Sequence, residues 1–386
     1  MELENFADEF GPEYVIEVYD RKIGLKGILI IDSLSLGPGK GGIRMTPTVD
    51  VVEVFRLART MTWKNALSEL PFGGAKAGIK VSPEDIKNKE RKKALILAFS
   101  RALKPVVPKL YIAGPDVNTG EEEMKWFFEA NGDWRACTGK PANVCMKLFG
   151  KKREKCGIPH EYGSTGFGVA HATVVASKHI GLDIEGATVA IEGFGNVGTF
   201  TSQHLSDFGA KIVAVSDSKG VIYNEDGLNV KKLYDVKQKT GSVINYKPGR
   251  VLPNKEIFEL PVDIVIPGAL PDVITKDNVN KIKAKVVVEA ANIPTTPQME
   301  EILHKRGIFV VPDFVANAGG VISSYAEYRG HNPKKMFELV EQKIKRNTKI
   351  VLDRAKKENV KPRDAALRIA QERVKKPSVS NYSSDI

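Results

Sequence analysis

A buried-strand pattern at 187–191 runs into Gly193-Phe-Gly195-Asn196-Val197-Gly198, and a helical pattern follows over 196–208. No other stretch constrains the fold of this chain so tightly. In a strand–turn–helix of this kind the first glycine makes the turn and the second admits a pyrophosphate. The third lets the helix pack close to the strand, with its N-terminus toward the phosphates. Alone, Gly-x-Gly-x-x-Gly is weak, because a glycine turn in an α/β domain without a ligand reads the same way. Here a second strand pattern follows at 211–215, and Asp217 stands at its end, close to the ~20-residue interval at which ribose is read. Together these features favour a dinucleotide site. Asp217 suits both ribose hydroxyls, whereas Ser218 and Lys219 beside it suit a 2′-phosphate, so NAD and NADP both stay open.

Further apolar strand patterns at 262–266, 286–288 and 309–311 alternate with helical ones such as 296–305. That alternation implies a doubly wound, mainly parallel sheet. The region before it reads as mixed α/β. Strands are expected at 14–19, 27–31 and 110–113, and helices at 51–70 (N-cap Asp50, stop Pro71), 83–103 and 121–130. The stretch 139–163 is weakest in regular structure and reads as a connection. Two long helical patterns, 333–358 and 362–375, come near the end. The expected architecture is therefore α/β in two domains with the active site in the cleft between them. Residues 1–145, completed by helices in 325–376, would form a substrate and assembly domain; 146–324 would form a Rossmann-type domain, and 377–386 a loose tail.

At 386 residues the chain is too long for one ordinary core. No apolar run approaches the ~20 residues of a membrane span, and the acidic start is no signal peptide, so a cytoplasmic protein is expected. The three cysteines (Cys137, Cys145, Cys156) are odd in number and lack Cys-x-x-Cys spacing. Buried thiols are expected rather than a disulfide framework or a metal site. The net charge of +11 raises nucleic-acid binding. Yet the basic runs at 87–93, 151–155, 343–349 and 373–376 are mostly interleaved with acids and lack aromatic spacing. A solvated surface is the simpler account, and neither nucleic acid nor membrane is expected as a partner.

Three lysines sit in glycine-bearing or loop-flanking contexts: Gly-Pro-Gly-Lys40-Gly-Gly, Met-Thr-Trp-Lys64 and Phe-Gly-Gly-Ala-Lys76-Ala-Gly. Flanking glycines let the backbone approach a small ligand, and converging ammonium groups suit a small polyanion. A lysine crowded by cations is also pushed toward its neutral form, as proton chemistry near neutral pH requires. The plain alternative is that, among 58 Lys+Arg, these are solvated like most others.

These contexts, with Gly114-Pro-Asp116-Val, the Gly193 fingerprint, Val215-Ser-Asp-Ser-Lys-Gly220, Ala290-Ala-Asn292 and Asn317-Ala-Gly-Gly-Val321, resemble the glutamate/leucine/phenylalanine/valine dehydrogenase family, in family order. The resemblance implies reversible oxidative deamination of an amino acid by an NAD- or NADP-dependent oligomer, a homo-hexamer being favoured. By the same resemblance Lys64 holds the α-carboxylate, Lys76 activates the attacking water and Asp116 shuttles protons to and from the amino group. Thr165 and Asn317 lie near the nicotinamide, and Asn292 near its ribose. Lys40 and Ser324 match the glutamate enzymes, in which they hold a side-chain carboxylate; this favours glutamate over a branched-chain or aromatic amino acid. A lean to NADP, or use of both cofactors, follows from Ser218 and Lys219. Plain readings stand beside these roles: Asp116 as a turn cap, Thr165 as a helix cap, Asn317 as a turn residue, and the whole chain as a non-catalytic amino-acid or nucleotide sensor. The chain departs from the family between Gly139 and Gly163, where Pro141-Ala-Asn-Val-Cys145 through His160-Glu-Tyr stands in place of a Gly-Gly-Ser segment.

Overall fold

The computed structural model describes residues 7–147 and 154–376. The 377–386 tail and the 151–153 part of the basic run lie outside them. The chain divides into two units: one is Met1–Tyr162, Val321–Met336 and Arg368–Ile386, the other Gly163–Gly320 and Phe337–Leu367.

The first unit is built on five strands, β1 (Tyr14–Asp20), β2 (Leu25–Ser33), β3 (Gly39–Thr46), β4 (Gly73–Lys80) and β5 (Tyr111–Pro115), in the order β1-β2-β4-β3-β5. The pairings β1/β2 and β2/β4 are antiparallel, while β4/β3 and β3/β5 are parallel. Helix α1 (Val51–Leu67) packs on β4, its N-terminus capped by Asp50, whose side chain accepts from Glu53 N. The helix expected over 83–103 is two, α2 (Pro83–Lys87) and α3 (Lys89–Ala102). Asn88 ends the first and caps the second by accepting from Arg91 N, so a cap residue breaks a continuous helical pattern. With α4 (Glu121–Asn131), these helices bury Leu95, Phe99, Met124 and Phe127 against the sheet residues Leu29, Ile43 and Ile79.

Two short strands, β6 (Cys145–Lys147) and β7 (Glu154–Cys156), pair antiparallel with Cys145 opposite Cys156, and a disulfide joins them. This overturns the expectation of three buried thiols. Only Cys137 is a free, buried thiol, pushed up to about 11 by burial. Spacing along the chain cannot reveal the other two as a pair, because it is the hairpin register that sets them face to face. Glu154 lies within reach of both sulfurs, but as a disulfide they offer no thiolate to a metal.

The second unit follows the alternating pattern. Strands β8 (Thr188–Glu192), β9 (Lys211–Asp217), β10 (Gly220–Tyr223), β11 (Arg250–Leu252), β12 (Ile264–Pro267), β13 (Val286–Val288) and β14 (Phe309–Val311) form one sheet, ordered β11-β10-β9-β8-β12-β13-β14. It is parallel from β9 through β14, with an antiparallel edge at β10 and β11. Its helices include α5 (Ser164–His179), α6 (Asn196–Asp207), α7 (Val230–Thr240), α8 (Pro297–Lys305) and α9 (Asp313–Ala316). Then come α10 (Gly319–Tyr328), α11 (Pro333–Glu358) and α12 (Pro362–Lys375). Among the described residues no helix is long and apolar enough to cross a membrane.

The units depart from the expected split at 145 and from the assignment of all the C-terminal helices to the first domain. The physical cause is specific pairing. The Glu327 carboxylate accepts from Gly139 N (2.7 Å) and Ile158 N (3.0 Å) and pairs with the Lys140 ammonium at 2.7 Å, which keeps the chain up to Tyr162 in the first unit. Within the second unit Phe337 packs edge-on to Phe167, and Arg363 reaches Glu289, Glu300 and Asp313. Lys140 and Glu327 are both fully buried. Removing one partner from such a pair leaves an uncompensated charge, at a cost of about 3–5 kcal/mol. Lys140→Met is therefore expected to lower the denaturation midpoint sharply, and adding Glu327→Gln to recover part of the loss. A midpoint within error of wild type for the single variant would contradict this.

Candidate active site

Lys40 and Lys76 stand inside strands β3 and β4, not in glycine loops. Lys40 is paired with Gly74 and Ile112, and Lys76 with Ile30. The glycines beside them allow neighbouring backbone to close in. A Cβ on Gly41 would lie 1.7 Å from Ala75 O, and one on Gly74 2.0 Å from Thr62 Oγ1 of α1. Only glycine fits between that helix and the strand that carries Lys76. Lys64 lies buried in the last turn of α1, and Ser324 is nearly buried on α10, one turn before Glu327.

Asp116 follows β5, and its Oδ2 lies 2.7 Å from Lys76 Nζ and 3.2 Å from Arg44 Nε. Arg44 also reaches Glu53 at 2.5 Å. Burial works to raise the Asp116 pKa, but Lys76 and Arg44 outweigh it and hold the carboxyl down at about 2. Asp116 is thus an anion at neutral pH. Lys40 is 3% exposed, and its Nζ donates to Ala113 O at 2.9 Å. Burial pushes its ammonium down to about 7, aided by Lys140 and Lys76 and opposed by Cys137 and Glu327. Thr138 N donates to the same Ala113 carbonyl, and the buried Thr138 Oγ1 finds no partner among the described residues.

Sequence reasoning missed Arg44, Thr138 and the Lys140–Glu327 pair. Arg44 had a signal, since it lies an even number of residues from Lys40 on the same strand. The others had none, because their meaning depends on partners far away in the chain.

In the second unit the fingerprint glycines behave as their chemistry requires. Gly193 turns at φ +94°, and a Cβ on Gly198 would lie 1.9 Å from Gly193 O. A Cβ on Gly195 would meet nothing within 4 Å, so space stands open where a pyrophosphate would pass. Asn196 and Val197 begin α6. A cavity of about 740 Å³ opens at the carboxyl ends of β8, β9 and β12, lined among others by Gly193, Gly195, Asp217, Ser218 and Lys237. Lys219, Asn196, Val197 and Thr165 do not line it.

Asp217 is already engaged. Its Oδ1 accepts from Lys219 N (2.9 Å) and Ser242 Oγ (3.0 Å), its Oδ2 accepts from Val243 N (2.8 Å), and Lys237 Nζ stands 3.8 Å away. Lys237 also donates to Phe194 O, inside the fingerprint, at 2.8 Å. Asn317 Nδ2 donates to Ala290 O (3.2 Å) and Asn292 Oδ1 (3.0 Å), which brings two expected cofactor residues together. The buried Asn317 Oδ1 has no partner among the described residues. Thr165 is close by, its Cα 3.1 Å from where a Cβ on Gly319 would stand. The open cavity, the free space at Gly195 and this orphaned amide oxygen all fit a nicotinamide dinucleotide.

The family described as Glutamate/Leucine/Phenylalanine/Valine dehydrogenase matches residues 156–380, and the Glu/Leu/Phe/Val dehydrogenase dimerisation domain matches residues 12–132. The chain is 42% identical over 351 residues to a glutamate dehydrogenase of Aeropyrum pernix, covering 88% of this chain and 82% of that one. It is also 42% identical over 322 residues to an NADP-specific glutamate dehydrogenase of Saccharolobus shibatae, covering 83% and 73%. Among solved structures it resembles the hetero-hexameric glutamate dehydrogenase of Thermus thermophilus in its leucine-bound form. That likeness has a TM-score of 0.82 at 27% identity, covering 97% of this chain and 91% of that one. The chain belongs to the glutamate/leucine/phenylalanine/valine dehydrogenase family and is an amino-acid dehydrogenase.

Proposed function

We propose that the substrate is L-glutamate, deaminated reversibly to 2-oxoglutarate and ammonia, with NAD or NADP as cofactor and a lean to NADP. The observation that carries this reading is the buried Lys40 ammonium, held so deep that its charge is half lost near pH 7. A side-chain carboxylate would restore that charge, whereas an aliphatic side chain would leave it buried and unpaired. Relatives named glutamate dehydrogenase at about this likeness support the same choice. A non-catalytic sensor fits less well, because binding alone has no use for the contact between Lys76 and Asp116.

When bound, the nicotinamide accepts the α-hydride of the amino acid. This chain's residues do the rest. Lys64 anchors the α-carboxylate, while Lys40 and Ser324 anchor the distal one. Lys76 removes a proton from the water that attacks the imine carbon, Asp116 carries a proton to the nitrogen, and the C–N bond then breaks as the carbonyl forms, the hydroxyl proton going to solvent and the nitrogen leaving as ammonia. To act as a base Lys76 must first give up its own proton, which the Asp116 carboxylate at 2.7 Å opposes, so loss of solvent around bound substrate has to outweigh that contact. The Arg44 contact stabilises Asp116 as an anion, so it passes protons on rather than keeping them. Comparing kcat/KM for L-glutamate, L-leucine, L-phenylalanine and L-norvaline tests the reading; higher efficiency with any apolar amino acid overturns it.

The lean to NADP rests on Asp217 being engaged by protein donors and on Lys237 beside it at the cavity. Lys237→Ala is expected to raise KM for NADP roughly tenfold and that for NAD far less, since one charge-assisted contact to a phosphate is worth about 1.5 kcal/mol. Lys219→Ala serves as the comparison; an effect confined to Lys219 would move the phosphate site to that loop.

Homo-oligomerisation, with a hexamer favoured, is part of the same reading. Assembly is supported by the match to a dimerisation domain, by the hetero-hexameric Thermus relative and by the edge strand β1, where Tyr14, Val15 and Tyr19 are exposed.

A further inference from the structure

One polar ring of the first unit has no part in the scheme above. His160 opens the short turn His160–Tyr162, at the end of the stretch in which this chain departs from its family. The turn is held firmly. Ile158 N donates to Glu327 and Gly157 N to Val144 O, and the Cys145–Cys156 disulfide ties the strands just before it. Gly139, at φ +78°, lies between His160 and Pro115. A Cβ there would stand 3.8 Å from His160 Cδ2 and 2.7 Å from Pro115 Cδ. On the next residue back, a Cβ on Gly114 would stand 2.6 Å from Lys40 Nζ. Gly114, Pro115 and Gly139 thus lie in sequence between the Lys40 ammonium and the imidazole.

His160 is exposed to solvent. Burial lowers its proton affinity, Lys40 lowers it further, and Asp116 opposes them more weakly. Of the two charges acting on it, Lys40 outweighs Asp116. A neutral imidazole offers one N–H donor without adding a second cation beside a strained ammonium.

We propose that His160 is a specificity-determining residue that donates a hydrogen bond to the side-chain carboxylate of a dicarboxylic substrate beside Lys40. This rests on the reading of glutamate as the substrate.

The test measures kcat and KM for L-glutamate and L-norvaline with the full-length enzyme at saturating NADP, in wild type, His160→Ala and His160→Gln. A lost hydrogen bond to a carboxylate is expected to raise KM for glutamate roughly tenfold in His160→Ala. The norvaline constants and both kcat values should stay close to wild type, and His160→Gln, which keeps a donor, should recover part of the loss. Competitive inhibition by glutarate should weaken in parallel. If the constants for both substrates move together, His160 merely shapes the loop and the proposal falls; it falls as well if neither moves. A wild type that prefers norvaline to glutamate would instead overturn the substrate reading itself, which the wild-type measurement reveals before any variant is examined.

Discussion

Lys76→Ala is expected to lower kcat by about 10²–10⁴-fold, the usual contribution of a positioned general base. Lys76 Nζ lies 2.7 Å from Asp116 Oδ2, on β4 beside β3. Arg44 also reaches Asp116, but a guanidinium does not give up its proton. Lys76→Arg is therefore expected to fail as well, although it keeps the charge. The fold and dinucleotide binding should survive in both variants, because Lys76 belongs to the first unit and the fingerprint to the second. Circular dichroism and quenching of protein fluorescence by NADPH check those two points. Wild-type turnover with an unchanged pH–rate profile in either variant would move the chemistry away from Lys76.

Lys40→Leu is expected to reverse substrate preference. Loss of a buried ammonium that faces a carboxylate should cut kcat/KM for glutamate by about 10²-fold or more, while norvaline efficiency holds or improves. A pH dependence follows from the same residue. Its pKa falls from 10.5 to about 7 on folding, so burying the ammonium penalises the fold fully below pH 7. That penalty fades as the pH rises from about 7 toward 10.5, where the lysine loses its proton in the unfolded chain too. Binding runs the other way. A substrate carboxylate needs the ammonium, so KM for glutamate should rise above about pH 7 while KM for norvaline does not. In Lys40→Leu this difference between the two substrates should vanish. A parallel pH dependence for both substrates in wild type would show that Lys40 does not meet the side chain.

Much of this was legible in the sequence because it is local. The turn at Gly193, the room at Gly195 and the close packing at Gly198 each depend on a few adjacent residues, and the structure agrees with all three. The lysine contexts and Asp116 were legible as a set, but not that Lys40 and Lys76 stand inside strands. Glycine-rich runs look like loops until a helix is found packed against them. What stayed hidden depends on which distant residues meet. Lys140 and Glu327 are ordinary charges until the fold buries them together, and Cys145 and Cys156 are an ill-spaced pair until a hairpin sets their register. Lys237 reads as one of many basic residues on a polar helix, and only the cavity beside Asp217 gives it a role.

Arg373 caps the helix that carries Lys64, donating to the carbonyl oxygens of Ala66 and Leu67 and pairing with Glu69. The partners Arg373 and Leu67 are 306 residues apart in the chain. At about 5–20 residues per second, the ribosome delivers that cap about 15–60 s after it has made the helix end. Through that interval a nascent chain carries α1 with its last carbonyls open to solvent, and the first unit lacks at least the last of its three stretches. The second unit is in the same position until 337–367 emerges. The main core cluster of each unit, residues 25–137 in one and 190–310 in the other, lies within its opening stretch, so the growing polypeptide can bury those cores early while the helix cap and the closing segments arrive last.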